Sequence, residues 1–239
     1  MEINWGINNN PKRKNPDESD KKIKKHKKEI ENKTFSADCD NSDDESVSNS
    51  SSTIFSHDNH VYFYTHVDNN SMLSLQKEVR NTIKRLLDKQ RTAESVGLVV
   101  TMPSIKLHIN SPGGGIFACF SFIDFMTQMK KKYNWLKFTS IVEGRAASAG
   151  TLMSVVCDRR EITEYGFMLI HQLSSATWGK YYDIKDDVEN LDSLMDKIRV
   201  IYRTHTNVPF TELEEILKHD LYWDSKKCLE YGLVDVIIE

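Results

Sequence analysis

Past residue 60 the chain alternates short, β-branched or alternating runs with longer stretches whose apolar residues fall three or four apart, the rhythm of strands interleaved with helices. Residues 61–65 read as a strand, and Leu73, Leu75, Val79, Ile83, Leu86 and Leu87 line one side of a helix over 71–89. A half-buried strand over 105–109 runs directly into Asn110-Ser-Pro-Gly-Gly-Gly115. Ile116, Phe117, Phe120, Ile123 and Met126 then mark a helix to residue 132. The next strand spans 138–142 and is followed by small residues and the apolar, helical run 151–156. A short strand near 161–163 and another over 167–171 complete the series. Residues 90–104 read as a looser connection, in which Val96-Gly-Leu-Val-Val100 has no assigned place.

The longest helical pattern covers 183–203, with Ile184, Val188, Leu191, Leu194, Met195, Ile198 and Ile201 in phase and charged residues on the other side. Such a helix exceeds what a compact interior accommodates, so it is expected to project as an assembly arm. A short helix over 211–218 leads to Asp220, and Asp224 caps another that stops at Gly232. Strands alternating with helices define an α/β layered domain.

Composition changes this picture at one end. Residues 12–33 are dominated by lysine and residues 38–52 turn acidic and serine-rich, a mixture that cannot bury enough apolar surface to offset its ordering entropy. Residues 1–55 are therefore expected to be a disordered charged tail, and residues 56–239 the folded domain. The basic cluster has no interleaved aromatics to stack on bases, so nucleic acid is not an expected partner. Over 239 residues the net charge is only −3, which gives no global attraction to polyanions or membranes. No apolar run reaches spanning length and the start lacks a signal-peptide core, so a cytoplasmic protein is expected. Cys39, Cys119, Cys157 and Cys228 are too dispersed for a zinc site, and no metal is expected. The last three sit in apolar helical contexts, where a buried thiol is the ordinary outcome.

The chemistry concentrates around Ser148. In Glu143-Gly-Arg-Ala-Ala-Ser-Ala-Gly150 small neighbours leave its hydroxyl open on a strand-to-helix turn, where backbone N–H groups at the helix start face a developing oxyanion. Small residues also serve close helix packing, so this stretch alone leaves both readings standing. A serine needs a base and a group to orient that base. His171, closing an apolar strand, is the best placed of the histidines, although a strand-end histidine is commonly structural. Pro112-Gly-Gly-Gly115 can expose N–H donors at a helix start or simply form a tight turn. It fits neither the phosphate-loop nor the dinucleotide spacing.

Together these residues resemble the proteolytic subunit of the Clp-type ATP-dependent serine proteases. The resemblance covers residues 60–238 and rests on Ile109-Asn-Ser-Pro-Gly-Gly114, Gly144-Arg-Ala-Ala-Ser-Ala-Gly150, Met168-Leu-Ile-His-Gln172 and Glu230-Tyr-Gly-Leu-Val-Asp235, in the family's order. It implies Ser148 as nucleophile, His171 as general base, Asp220 as the acid orienting it, and the N–H groups of Gly114 and Ala149 as oxyanion hole. Substrate is implied to lie extended beside Gly113, Gly115 and Ile116, and beside a strand near residues 174–179. The implied fold is crotonase-like, with stacked ββα units and a projecting handle helix. The implied assembly is a homo-oligomeric, heptameric ring, fed with unfolded polypeptide by an AAA+ unfoldase that consumes the ATP, with no cofactor in this subunit. Leu173 stands where the family has a proline, and His219 where it has an arginine used in ring-to-ring pairing, so that pairing is not carried over. The other readings are a noncatalytic ring subunit, an acyl-CoA enzyme of the crotonase fold, and a viral-type maturation protease.

Overall fold

The computed structural model of the protein describes residues 53–239; the lysine-rich and acidic stretches, with Cys39, lie outside the described residues. Strands β1 (Ile54–His57) and β2 (His60–Phe63) form an antiparallel hairpin. Helix α1 (Asn69–Ser95) starts where it does because the Asp68 carboxylate accepts the Ser71 N–H and the Ser71 hydroxyl accepts the Asp68 N–H, a reciprocal cap. Strand β3 (Ile105–Ser111), helix α2 (Ile116–Lys132), strand β4 (Phe138–Ala147) and helix α3 (Ala149–Val155) follow. Next come β5 (Arg159–Thr163), β6 (Phe167–Leu169), α4 (Tyr181–His205), α5 (Phe210–Leu217), β7 (Tyr222–Asp224), α6 (Ser225–Glu230) and β8 (Val236–Ile238).

The main sheet runs β1-β2-β3-β4-β5-β8, parallel everywhere except at the first hairpin. Parallel neighbours need crossover connections, which the helices supply. Ile105, Leu107 and Ile109 of β3 are fully buried, together with Leu75 and Val79 of α1 and Phe122 of α2. On the edge opposite β3, strand β4 serves two partners: Thr139–Val142 pair with β5, whereas Arg145–Ala147 pair with β6, which in turn pairs with β7. Between the two halves lies Gly144 at φ +72°, a left-handed conformation that lets the strand change partners. This mixed α/β architecture agrees with the expected fold class.

Several local expectations are corrected. Helix α1 continues to Ser95, beyond residue 89, because Gln90–Ser95 are compatible with helix and Gln90 donates to Glu94 one turn on at 2.9 Å. Only residues 96–104 form the connection, and Val96, Leu98 and Val99 in it are exposed rather than packed. The strand expected over 61–65 is His60–Phe63, and β1 straddles the boundary expected at 55–56. Strand β6 ends at Leu169, so His171 stands beyond the strand. No strand forms near residues 174–179, which make an exposed connection. Strands β7 and β8, three residues each, are too short for a readable period. Cys119, Cys157 and Cys228 are buried, as expected.

Helix α4 is anchored at one end. Only Ile198 and Tyr202 are buried, while Ile184 and Val188 of the same apolar stripe are exposed. Tyr181, Tyr182 and the preceding Trp178 are also exposed, so the arm carries an apolar surface that its own chain leaves uncovered. Among the described residues, no helix is long and apolar enough to cross a membrane.

Candidate active site

The second half of β4 delivers the chain to Ser148, which adopts φ 54° and ψ −121° before α3 begins at Ala149. A positive φ is costly for a residue with a Cβ and persists only where the surroundings impose it. Here they do. The Ser148 N–H donates to the Leu169 carbonyl at 2.8 Å, and the Ser148 carbonyl accepts from the Thr151 N–H at 3.0 Å and the Thr151 hydroxyl at 2.6 Å. The turn therefore aims the Ser148 side chain out of the strand, against the glycine loop.

That loop needs its glycines. Val67 clamps it by donating to the Gly113 carbonyl at 2.8 Å and accepting from the Gly115 N–H at 2.7 Å. Gly114 between them has φ +145°, and a Cβ there would stand 2.2 Å from the Val67 carbonyl oxygen. At Gly113, φ +90°, a Cβ would lie 2.5 Å from the Ala147 oxygen and 2.8 Å from the Ser148 Cβ. The loop and the serine turn thus touch through backbone because no side chain separates them. Ala149 is the first residue of α3, so its N–H has no acceptor within the helix. The N–H of Gly114 is likewise outside the two hydrogen bonds of the Val67 clamp.

His171 follows β6, and the Gln172 N–H donates to the Leu217 carbonyl at 2.7 Å, tying the segment to the end of α5. Asp220 lies just past that end, and its Oδ1 is 2.7 Å from His171 Nδ1. The Asp220 side chain is 77% exposed against 22% for His171, so it orients the ring by direct contact more than through a buried field. Gly114, Ile116, Ser148, Ala149, His171 and Tyr202 all line one cleft of about 20 Å³, room for a single water. Among the described residues, no hydrogen bond joins the Ser148 hydroxyl to the His171 ring.

The residues singled out from sequence thus converge. Ser148, His171, Gly114, Ala149 and Ile116 share the cleft, Asp220 holds His171 from its outer side, and Gly113 and Gly115 are the ends of the clamped loop. Burial pushes the thiols of Cys119, Cys157 and Cys228 up to about 12, which keeps them protonated and makes them poor nucleophiles. Sequence reasoning missed Thr151 and Tyr202; for Tyr202 the one signal is its place a helical turn beyond buried Ile198. Among the described residues, no group of three or more His, Cys, Asp or Glu side chains is arranged to hold a metal.

A strained serine at a strand-to-helix turn, facing a glycine loop and a histidine–aspartate pair, is accompanied by a match of the Clp protease family to residues 57–239. The chain belongs to that family, and its fold is of the Clp protease type. One similar protein is the ATP-dependent Clp protease proteolytic subunit of Deinococcus radiodurans, 28% identical over 137 residues, which are 56% of this chain and 65% of the relative. The match thus spans less than two thirds of that relative's length.

Proposed function

We propose that the protein is a serine endopeptidase, the proteolytic subunit of an ATP-dependent Clp-like protease. The observation that carries this reading is the gathering of Ser148, His171 and the Gly114 and Ala149 N–H groups at one cleft, with Asp220 on the far side of the histidine. With Nδ1 engaged by Asp220, the His171 Nε2 is the nitrogen left to take the Ser148 proton as Oγ attacks the peptide carbonyl. The oxyanion that forms is held by the Gly114 and Ala149 N–H groups, which are fixed before the reaction begins. Proton return from His171 to the departing amine leaves an acyl-enzyme, and a water activated by the same ring releases it.

An extended, unfolded polypeptide suits a site whose edge is the backbone of residues 113–116, because main-chain hydrogen bonding asks little of the side chains. The uncovered apolar stripe of α4 supports assembly into a ring, heptameric as in the resembled family. The name of the Deinococcus relative supports an ATP-dependent partner that delivers substrate, the nucleotide being used by that partner. A noncatalytic ring subunit is the second reading, favoured by the absence of a Ser148–His171 hydrogen bond among the described residues. Labelling with a fluorophosphonate, followed by intact-mass and peptide mapping, decides between them. A single adduct on Ser148, lost in Ser148→Ala, is expected; no adduct in any oligomeric state would remove the peptidase reading.

A further inference from the structure

Beneath the serine turn lies a buried chain of hydroxyl groups that none of the roles above uses. Tyr202 reaches in from α4, 1% exposed, and its phenol oxygen is 2.5 Å from the Thr151 Oγ1, itself on a fully buried side chain. The Thr151 hydroxyl has one proton, and it goes to the Ser148 carbonyl at 2.6 Å. Tyr202 is therefore the donor to Thr151. Burial pushes the Tyr202 phenol up, which keeps that proton in place.

The carbonyl that receives this chain belongs to the same peptide unit as the Ala149 N–H. Because the unit is planar and trans, fixing the direction of C=O fixes the opposite direction of N–H. Two donors on the Ser148 oxygen, the Thr151 hydroxyl and the Thr151 N–H at 3.0 Å, hold that plane. Hydrogen bonds in series also polarise one another, so a donor pulling on the carbonyl makes the N–H at its other end a stronger donor. The turn is strained and would relax without such a hold.

Resting on the peptidase reading above, we propose that Tyr202 and Thr151 are positioning residues, which orient and strengthen the Ala149 N–H as an oxyanion donor through the Ser148 peptide. Their effect then belongs to the transition state, where the negative charge exists, and not to substrate binding. Removing the phenol hydroxyl alone is expected to lower kcat about tenfold, a fraction of what loss of a whole oxyanion donor costs, and to leave KM within about twofold.

The test uses the full chain and compares wild type, Tyr202→Phe, Thr151→Val, Thr151→Ser and the Tyr202→Phe/Thr151→Val pair in peptide hydrolysis and in the rate of fluorophosphonate labelling. Melting temperature and oligomeric state are followed alongside. Expected are a fall in kcat and labelling rate for Tyr202→Phe, recovery of most activity in Thr151→Ser but not Thr151→Val, and a double variant no slower than Thr151→Val alone. Wild-type rates in Tyr202→Phe, a loss confined to KM, or additive losses in the double variant would overturn the inference while leaving the peptidase reading intact. Failure of wild type to label at Ser148 would instead bring down the peptidase reading, and this inference with it.

Discussion

The Ser148 N–H donates to the carbonyl of Leu169 across 2.8 Å, and Leu169 is the residue paired with Ala147 where β4 meets β6. One strand pairing therefore positions both halves of the proposed chemistry, since the chain reaches Ser148 one residue after Ala147 and His171 two residues after Leu169. The main sheet gives β4 its direction, and the change of partner at Gly144 gives the site its place.

The strain at Ser148 is separable from its chemistry. Ser148→Ala and Ser148→Gly should both lose peptide hydrolysis, but glycine accepts φ 54° without a Cβ penalty. The glycine variant is expected to exceed the alanine variant in stability by about 1 kcal/mol. That corresponds to about 2–4 °C in melting temperature for a domain of this size. Thermal denaturation of the two inactive proteins side by side checks this; equal melting temperatures would mean that the turn stores no strain.

Because Asp220 is largely exposed, it should matter less than the histidine it touches. Asp220→Asn is expected to lower kcat by about 10²-fold and His171→Ala by about 10⁴-fold, the two ends of the usual range for general acid–base groups. Initial rates on a fluorogenic peptide measure both, and an Asp220→Asn rate equal to wild type would remove Asp220 from the proposed triad.

At Gly114 a single methyl group collides with the chain. A Cβ 2.2 Å from the Val67 oxygen forces the loop away from its clamp. The Gly114→Ala variant should lose about 10²–10³-fold in kcat, as for removal of an oxyanion donor. Its stability should fall by about 1–3 kcal/mol, measured by urea denaturation. A variant that is destabilised yet fully active would show that this N–H is not part of the reaction.

A second polar group of residues is expected to contribute to acid sensitivity. His60 Nδ1 lies 2.7 Å from His108 Nε2, His108 Nδ1 lies 2.9 Å from Glu143 Oε1, and Tyr64 donates to the other Glu143 oxygen. Burial, then the neighbouring His108 and Lys106, hold His60 below the ordinary histidine value of 6.5. A depressed histidine takes up its proton more readily unfolded than folded, so no stability is lost above that value, and stability declines as pH falls below it towards the folded value. Burial depresses His205 in the same direction. The melting temperature should therefore drop between pH 7 and pH 5, and His60→Gln should flatten part of that drop; an unaltered slope in the variant would rule His60 out as a source.

How much of this was legible beforehand depended on how local the cause was. Helix α2 was read with its observed limits, because its apolar spacing and the glycines before it are local facts. The serine turn, too, is written in small residues between a β-branched run and an apolar one. The helical nature of Gln90–Ser95 was not legible, since nothing apolar marks its phase, and β1, β7 and β8 are strands only because neighbouring strands offer them partners.

The sequence by itself determined the alternation of strands and helices, the need for glycine at the loop, the arm-like length of α4 and the residue types at the proposed site, because propensity, periodicity and backbone permissiveness act over a few residues. Only the tertiary structure decided that His171 meets Asp220 across 49 positions of chain, that Val67 clamps the glycine loop, and that Tyr202 reaches Thr151 beneath the turn. Those contacts come from the pairing of β2 with β3, of β4 with β6 and of β6 with β7, and from the docking of one end of α4, where burial and hydrogen bonding between distant segments, not local preference, set the geometry.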